Sequence, residues 1–539
     1  MLKPIEDSKL LIEIMNDLRC SLEDLPFFKK DRVNALYNAF GYIRNFLELY
    51  SYKVHTFKSN NDFIEEADRT ILNLKKSLTI ILRVFSRVKI GTGSTTIDDT
   101  LDALSKCMSY SVVFKALRFH IKHKEYRGVL FDEDIKILEL RYPNEQIKYH
   151  EALNSLTIKL NKLSQTKQFI DANNELNYLK DSAKRVVLKM TKQQEMINPI
   201  CISEYPVGVV KILKQQVSLY EILEGSQYTL YDDLNLTSQY TFKQFKDVLH
   251  GLYIIASIIM IVSNGEGWLI REVDTHVLID ELSIFLQLDK GIVAIIVNDL
   301  TYNFTNEKLV EIQPLIYINK NKVIFVPLYV LDRTANFLYI EIAKILYATK
   351  YNAEQEKMTK SFEQYVEETI KEKVKNISVS TLKFDGIGQI DRIISDTLNS
   401  IMILVEIKHL TTYRNDHIEK GIRQLICNEK LVDENWDYVS KSIKVWNGKS
   451  KPAKIVKLLV TNWFRGTVDN IPGDITILNI DELKGIEKFD NLANMAEYFC
   501  SFKRKISETD IEFADREVSL FGYTIKYKVA DFASLEKWI

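Results

Sequence analysis

The sequence predicts a multidomain chain of α plus α/β class: a helical N-terminal region, a mixed middle, and a C-terminal α/β/α domain built on a mixed sheet. Three observations predict it. A length of 539 residues exceeds what one hydrophobic core organises, so two to four domains are expected. Up to about residue 195, glycine is sparse and apolar residues recur at helical spacing, as in Leu36, Phe40, Ile43 and Phe46. After Tyr351 the pattern changes to helix, strand, strand, helix, strand. With 46% hydrophobic and 27% charged residues, the chain can bury a core and does not have the composition of a disordered one.

The helical region is residues 1–195. Within it Leu153, Leu156, Leu160 and Leu163 form one coiled-coil-like seam, and Leu176, Leu179, Ala183 and Val186 form another. The two seams do not share a register. The segment Asp171–Asn174 between them is either the turn of an antiparallel helical hairpin, the preferred reading, or a skip in one long helix. Apolar seams need partners, so a homo-oligomer or a partner protein is expected here. Residues 196–350 read as a mixed region. Helix 275–288, helix 291–302 and the hairpin PLIYI-NKNK-VIFVP follow one another in the order of a winged helix. The second helix or the Asn319–Lys322 tip would then meet nucleic acid; the plainer alternative is a helical linker with a small sheet. Residues 351–483 are the α/β domain, and 484–539, with Tyr498, Phe499, Phe513, Phe521 and Tyr523, are expected to pack back on it.

Charge and cysteine content narrow the function classes. Lys plus Arg (72) nearly balances Asp plus Glu (73), so local charge matters more than the total. From Lys441 to Arg465 there are seven cations and no acidic residue, and Lys449, Lys451, Lys454 and Lys457 are expected to contact a nucleic-acid backbone. A second basic run, Lys106–Arg127, reads equally well as a solvated helix face. The five cysteines are far apart with no CxxC pair, which suggests neither a disulfide framework nor a zinc cluster and fits a reducing cytoplasm. The most lipid-like run, Leu252–Val262, is too short for a span of about 20 residues, so no membrane partner is expected. Phosphate-loop, nucleophile-elbow and HExxH patterns do not occur.

The chemistry is concentrated in 388–408. IMILVEIK (401–408) is a continuous apolar run ending in two charges, the pattern of a strand buried on both faces. Side chains two apart in a strand share a side, so Glu406 and Lys408 project together while Ile407 and His409 face the opposite way. GQIDRIIS (388–395) reads as the preceding strand, and Asn399–Ser400 as the turn of a hairpin that sets Asp391 beside Glu406. Asp385 and Asp396 read as loop or turn carboxylates. Two carboxylates beside a lysine suit Mg²⁺ or Mn²⁺ and a phosphodiester: the carboxylates hold the ion, and the lysine orients water or meets developing charge.

Asp391, fourteen intervening residues, then Glu406-Ile407-Lys408 resembles the signature of the PD-(D/E)XK nuclease superfamily, whose fold is restriction-endonuclease-like. The resemblance covers about 110 residues. It implies that SFEQYVEETI (361–370) is the helix whose glutamate, Glu363, helps to hold the metal, with Glu367 as second choice. It also implies that KIVKLLVTN (454–462) is a later core strand, and that Gln424, on a helix over 416–432, matches a glutamine some members carry. Ile390 stands where the name-giving proline would, and no tyrosine follows four residues after Gln424. The activity implied is Mg²⁺- or Mn²⁺-dependent phosphodiester hydrolysis, on DNA in preference to RNA, in restriction or antiphage defence. The alternative is a non-catalytic nucleic-acid-binding or oligomeric interaction protein, since an ExK pair also occurs as an exposed cross-strand ion pair.

The leucine seams generate a prediction. Leu156→Asp with Leu160→Asp should lower the mass measured by light scattering; equal masses for folded variant and parent would exclude intermolecular pairing through this seam.

Overall fold

A computed structural model describes residues 2–5, 8–56, 76–123, 129–141, 200–223, 237–262, 271–305, 313–327, 335–384, 388–409, 415–462, 474–501 and 511–532, with a few single positions besides. The two leucine seams and Asp385 lie outside the described residues. The chain combines helices with three sheets. No helix among the described residues is long and apolar enough to cross a membrane.

The N-terminal part is not one helical region followed by a separate middle, because both contribute to a single core. That core runs from Ile5 to Met358 and takes in Leu520, Tyr523 and Ile525. It gathers α1 (Ser8–Glu23), α2 (Arg32–Thr56), α3 (Ile97–His123), α4 (Val207–Leu223) and α5 (Phe242–Val262). The Arg32 guanidinium lies 3.7 Å from the Phe304 ring centroid and Tyr302 Oη donates to the Leu82 carbonyl at 3.4 Å, so the expected boundary near residue 195 is crossed by packing.

Next come β4 (Arg271–Asp274), α6 (Thr275–Leu286) and α7 (Lys290–Asp299), then β5 (Thr301–Tyr302), β6 (Leu315–Asn319) and β7 (Lys322–Phe325). Asp274 caps α6 by accepting from the His276 and Val277 amides, and Asp289 caps α7 through the Ile292 amide. The sheet order is β4-β7-β6-β5. The helix, helix, hairpin sequence is therefore present, with β4 added against β7.

The C-terminal residues divide unexpectedly. Strands β13 (Ile511–Leu520) and β14 (Tyr523–Phe532) join the N-terminal sheet and, among the described residues, not the sheet of the α/β unit. They form a hairpin whose β14 pairs in parallel with β3 (Ile137–Leu140), completing a sheet with β2 (Val129–Asp132) and β1 (Lys3–Pro4) in the order β1-β2-β3-β14-β13. The cause is apolar complementarity: Leu520, Tyr523 and Ile525 fill the N-terminal core beside Leu138 and Leu140. The region 1–195 thus contains strands as well as helices.

After α8 (Ala335–Leu346), the 26-residue helix α9 (Ala348–Lys373) joins the two parts. At 1.5 Å per residue it is about 39 Å long. Tyr351 and Met358 belong to the N-terminal core, whereas Phe362, Val366 and Ile370 belong to the next one. The polar stretch NAEQEKMTK (352–360) lies in its first half; Glu354–Lys357 and Glu356–Lys360 pairs support the solvated turns. At the helix start, Tyr347 Oη donates to Asp299 Oδ2 at 2.7 Å, and Tyr240 Oη donates to the same oxygen at 2.7 Å.

The α/β unit is three layers. Its mixed sheet has the order β12-β11-β10-β9-β8, formed by β8 (Ser378–Phe384), β9 (Gly388–Asp396), β10 (Ile401–Lys408), β11 (Lys454–Thr461) and β12 (Ile475–Asn479). Helix α9 covers one face with α12 (Ile480–Gly485) and α13 (Leu492–Ser501). The other face carries α10 (Asn415–Glu434) and α11 (Trp436–Ser442). Residues 484–501 thus belong to this unit.

Because β14 belongs to the N-terminal sheet, Ile525→Ala should cost about 3 kcal/mol of stability and speed hydrogen exchange in β2, β3 and β14 while β9 and β10 keep their protection. Faster exchange confined to β9 and β10 would contradict this placement.

Candidate active site

The site is built by one hairpin and one irregularity. Strands β9 and β10 pair antiparallel from Ile401↔Asp396 to Val405↔Arg392, a register that continued by one step would set Asp391 opposite Glu406. Asp396 makes the turn, its Oδ1 accepting from the Leu398 amide at 2.9 Å and the Asn399 amide at 3.2 Å, and Ser400 takes a positive φ of 53°. On the other side of β9 the pairing moves from Ser380↔Ile393 to Leu382↔Ile390. One residue of β8, Thr381, thus opposes two of β9, a bulge at Asp391–Arg392 of the kind that re-aims a side chain. Ile390 and Ile393, three apart, consequently share one core face.

The bulge sends neighbouring charges to different partners. Asp391 Oδ2 accepts from the Ile407 amide at 2.9 Å, beside the peptide that joins Glu406 to Ile407. Arg392, with 13% of its side chain exposed, reaches α9, where Nε donates to Glu367 Oε2 at 2.7 Å and Nη1 lies 3.4 Å from Glu363 Oε2. Its Nη1 also donates to the Asp391 carbonyl at 2.6 Å, tying the bulge closed. Glu363 faces Asp391 closely enough for the two charges to oppose one another. Glu367 is occupied by Arg392 and Lys371.

On β10, Met402 and Leu404 enter the core under α10 while Ile403, Val405 and Ile407 enter the core under α9. Glu406 and Lys408 continue the α10 side. Glu406 is 1% exposed. Lys408 Nζ donates to Glu406 Oε1 and, at 2.8 Å, to Gln424 Oε1 on α10. Gly421 permits this approach: a Cβ there would lie 2.9 Å from Leu459 Cδ1 and 3.4 Å from Lys408 Cε. His409 turns the other way, its ring 5.2 Å from that of Phe362, and burial lowers it to about 4.

Electrostatically the site is a carboxylate cluster held out of water. Burial, then the Asp391 charge, pushes Glu406 up to about 7 against the pull of Lys408. Asp391 is raised by burial, opposed by the Ile407 amide and Lys408. Glu363 is raised by burial and then by Asp391, with Arg392 opposing. Glu406 Oε2 is buried and finds no hydrogen-bond donor among the described residues. An orphaned carboxylate oxygen beside a second carboxylate fits a hard cation, which takes one or two carboxylates and completes its shell with water and phosphate. No group of three His, Cys, Asp or Glu among the described residues meets as a ligand cluster, so the donor set is poorer than a site held wholly by protein, such as structural zinc, requires.

The hairpin and α10 thus bring together Asp391, Glu406, Lys408 and Gln424, and α9 brings Glu363 to their margin. The lysines expected to bind nucleic acid are placed elsewhere. Lys457 is not a surface group: it is 3% exposed and bridges Glu429 and Asp474, because β11 is a central strand whose buried ammonium needs carboxylate partners. Lys451 pairs with Asp433 at 3.3 Å. Lys449 and Lys454 are exposed, yet Lys454 pairs with Ile401 and Thr461 with Lys408. Seven strand steps, about 23 Å, thus separate Lys454 from the end of the sheet that carries Lys408. Arg465 lies outside the described residues. In α7 the exposed cation Lys290 is paired with Asp280, and at the β6–β7 tip Lys322 is paired with Glu272. In the basic run of α3, Tyr110 and His120 are buried and Lys106 lies 5.1 Å from the Phe521 ring centroid.

Arg392, Gly421 and the Ile407 amide were not singled out from the sequence. A signal existed: in Ile390-Asp-Arg-Ile393 two polar residues stand together where a strand should alternate, which marks a bulge. Compared with family models, curated proteins and solved structures, the chain matches none.

A carboxyl raised from 4.5 to about 7 on folding holds protons that the unfolded chain has lost. Its stabilising contribution is complete below pH 4.5 and is lost as pH rises through 7, on the order of 3 kcal/mol at the limit. In EDTA, Glu406→Gln should therefore melt higher than the parent at pH 8, with the difference shrinking by pH 5. A parent whose stability is flat across that window would refute the burial of this carboxyl.

Proposed function

We propose that the α/β unit is a metal-dependent nuclease of the PD-(D/E)XK type, hydrolysing phosphodiester bonds with Mg²⁺ or Mn²⁺ and acting on DNA in preference to RNA. The observation that carries the reading is the convergence of Asp391, Glu406, Lys408 and Gln424 at one sheet end, with Glu406 Oε2 lacking a donor. Asp391 and Glu406 would hold the ion, with Glu363 in reserve behind Arg392. When bound, the ion supplies Lewis acidity to the scissile phosphate and lowers the pKa of a coordinated water.

The chain's own groups do the rest. Lys408 Nζ is held between Glu406 Oε1 and Gln424 Oε1, and Glu406 Oε2, which has no donor among the described residues, would be the oxygen offered to the ion. Lys408 then donates to the attacking water or to the oxygens where negative charge develops, and in a site closed to bulk water that interaction is strong. Arg392 neutralises the α9 glutamates, limiting the repulsion that a phosphate would meet. The resemblance to the superfamily supports a role in restriction or antiphage defence, and the order of β4, α6, α7, β6 and β7 supports a winged-helix-like middle. A second reading, a non-catalytic binding protein, is favoured by one observation: Lys408 already neutralises Glu406.

The two readings separate in a cleavage assay on duplex DNA, single-stranded DNA and RNA with Mg²⁺ and Mn²⁺. Asp391→Ala and Lys408→Ala should each reduce cutting by about a hundredfold or more. Lys408→Ala should keep metal affinity, and Glu363→Ala should give a milder loss that added metal repairs. Variants cutting at parental rates would end the nuclease assignment.

A further inference from the structure

Phosphate has to reach the site from somewhere, and the expected lysine patch stands at the wrong end of the sheet. Helix α10 touches Lys408 through two residues. Gly421 lies where a Cβ would be 3.4 Å from Lys408 Cε, and Gln424 Oε1 accepts from Lys408 Nζ at 2.8 Å. Each has a cation as its chain neighbour, Lys420 beside Gly421 and Arg423 beside Gln424. Both cations are exposed, and neither forms an ion pair among the described residues, whereas Arg392, Lys371, Lys451 and Lys457 all do. In a helix, residues four apart lie on one side, which puts Lys420 on the same edge as Gln424, one turn away and about 6 Å along the axis.

We infer that Lys420 and Arg423 bind the backbone phosphates flanking the scissile one, so that a nucleic acid crosses the N-terminal half of α10 and not the 441–465 lysines. The inference rests on the nuclease reading and assigns its substrate path. The spacing fits: two cations three residues apart rise about 4.5 Å along the helix, and a duplex strand carries one phosphate per about 3.4 Å of axis. That neither pairs with a carboxylate among the described residues also matters, since a paired cation would have to surrender its partner before binding phosphate. The site itself is short of positive charge, with three raised carboxyls against Lys408 and Arg392, so attraction for a polyanion must come from its rim. Arg423 and Lys420 supply that rim.

The test uses full-length protein carrying Glu406→Gln, so that bound DNA is not cut, and a fluorescent 20-base-pair duplex titrated at several salt concentrations. Adding Lys420→Ala and Arg423→Ala should lower the slope of log affinity against log salt by about two, while Lys449→Ala with Lys454→Ala should leave it unchanged. In the otherwise native protein the first pair should raise KM for cleavage several-fold with little change in kcat. An unchanged slope in the first pair, or an equal fall in both pairs, overturns the α10 path while leaving the nuclease reading standing. A parent that binds neither this duplex nor the same sequence as single strand or RNA overturns both. Circular dichroism and melting of each variant guard against misfolding, to which these exposed positions are little prone.

Discussion

A carboxylate buried without a partner is among the most costly things a fold can contain, and here Asp391 is kept in place by the backbone itself. The Ile407 amide, which would otherwise extend the β9–β10 ladder, donates to Asp391 Oδ2 at 2.9 Å. The exchange is possible because the bulge opposite Thr381 carries Asp391 out of strand alternation, and Arg392 and Thr381 fix the bulge by donating to the Asp391 carbonyl. Glu406 is then committed to the same space by the parity of β10. Lys408 and Gln424 are drawn in because an acidic pair in that space needs a counter-charge, and the counter-charge needs an acceptor to aim it. Each of these positions depends on one lost ladder hydrogen bond.

The wider architecture holds this arrangement at both chain ends. Helix α9 starts in one core and finishes in another, bringing Glu363 and Glu367 to Arg392. The chain leaves the α/β unit after α13 and returns to the N-terminal sheet as β13–β14. The α/β unit is therefore fastened twice to the same body, which a linear succession of domains would not do. At its origin α9 is anchored by Tyr347 on Asp299, an aspartate that burial raises and two tyrosine hydroxyls oppose.

How much of this the sequence disclosed follows the range of the interactions. The turn at Asp396–Ser400, the paired projection of Glu406 and Lys408, and the inward face of His409 follow from strand parity and turn chemistry, which are local, and they were legible. Gln424 came from a resemblance, and α10 does place it on Lys408. The destination of β13–β14 was not legible, because a parallel pairing between residues 137–139 and 524–526 leaves no mark at either place. Nor was the fate of Lys457, whose segment lacks acids but whose partners, Glu429 and Asp474, come from elements on either side. A charge run in sequence reports which residues are neighbours in the chain, and a central strand sends alternate members of such a run inward.

The central claim is that Asp391 and Glu406 share one cation. A crystal of the full chain grown with Mn²⁺, with anomalous diffraction recorded, tests it most directly. The account predicts one anomalous peak within about 2.5 Å of oxygens from both carboxylates, with Lys408 Nζ still on Gln424. A peak bound by only one of the two carboxylates, or none at the end of β10 at saturating Mn²⁺, would contradict it.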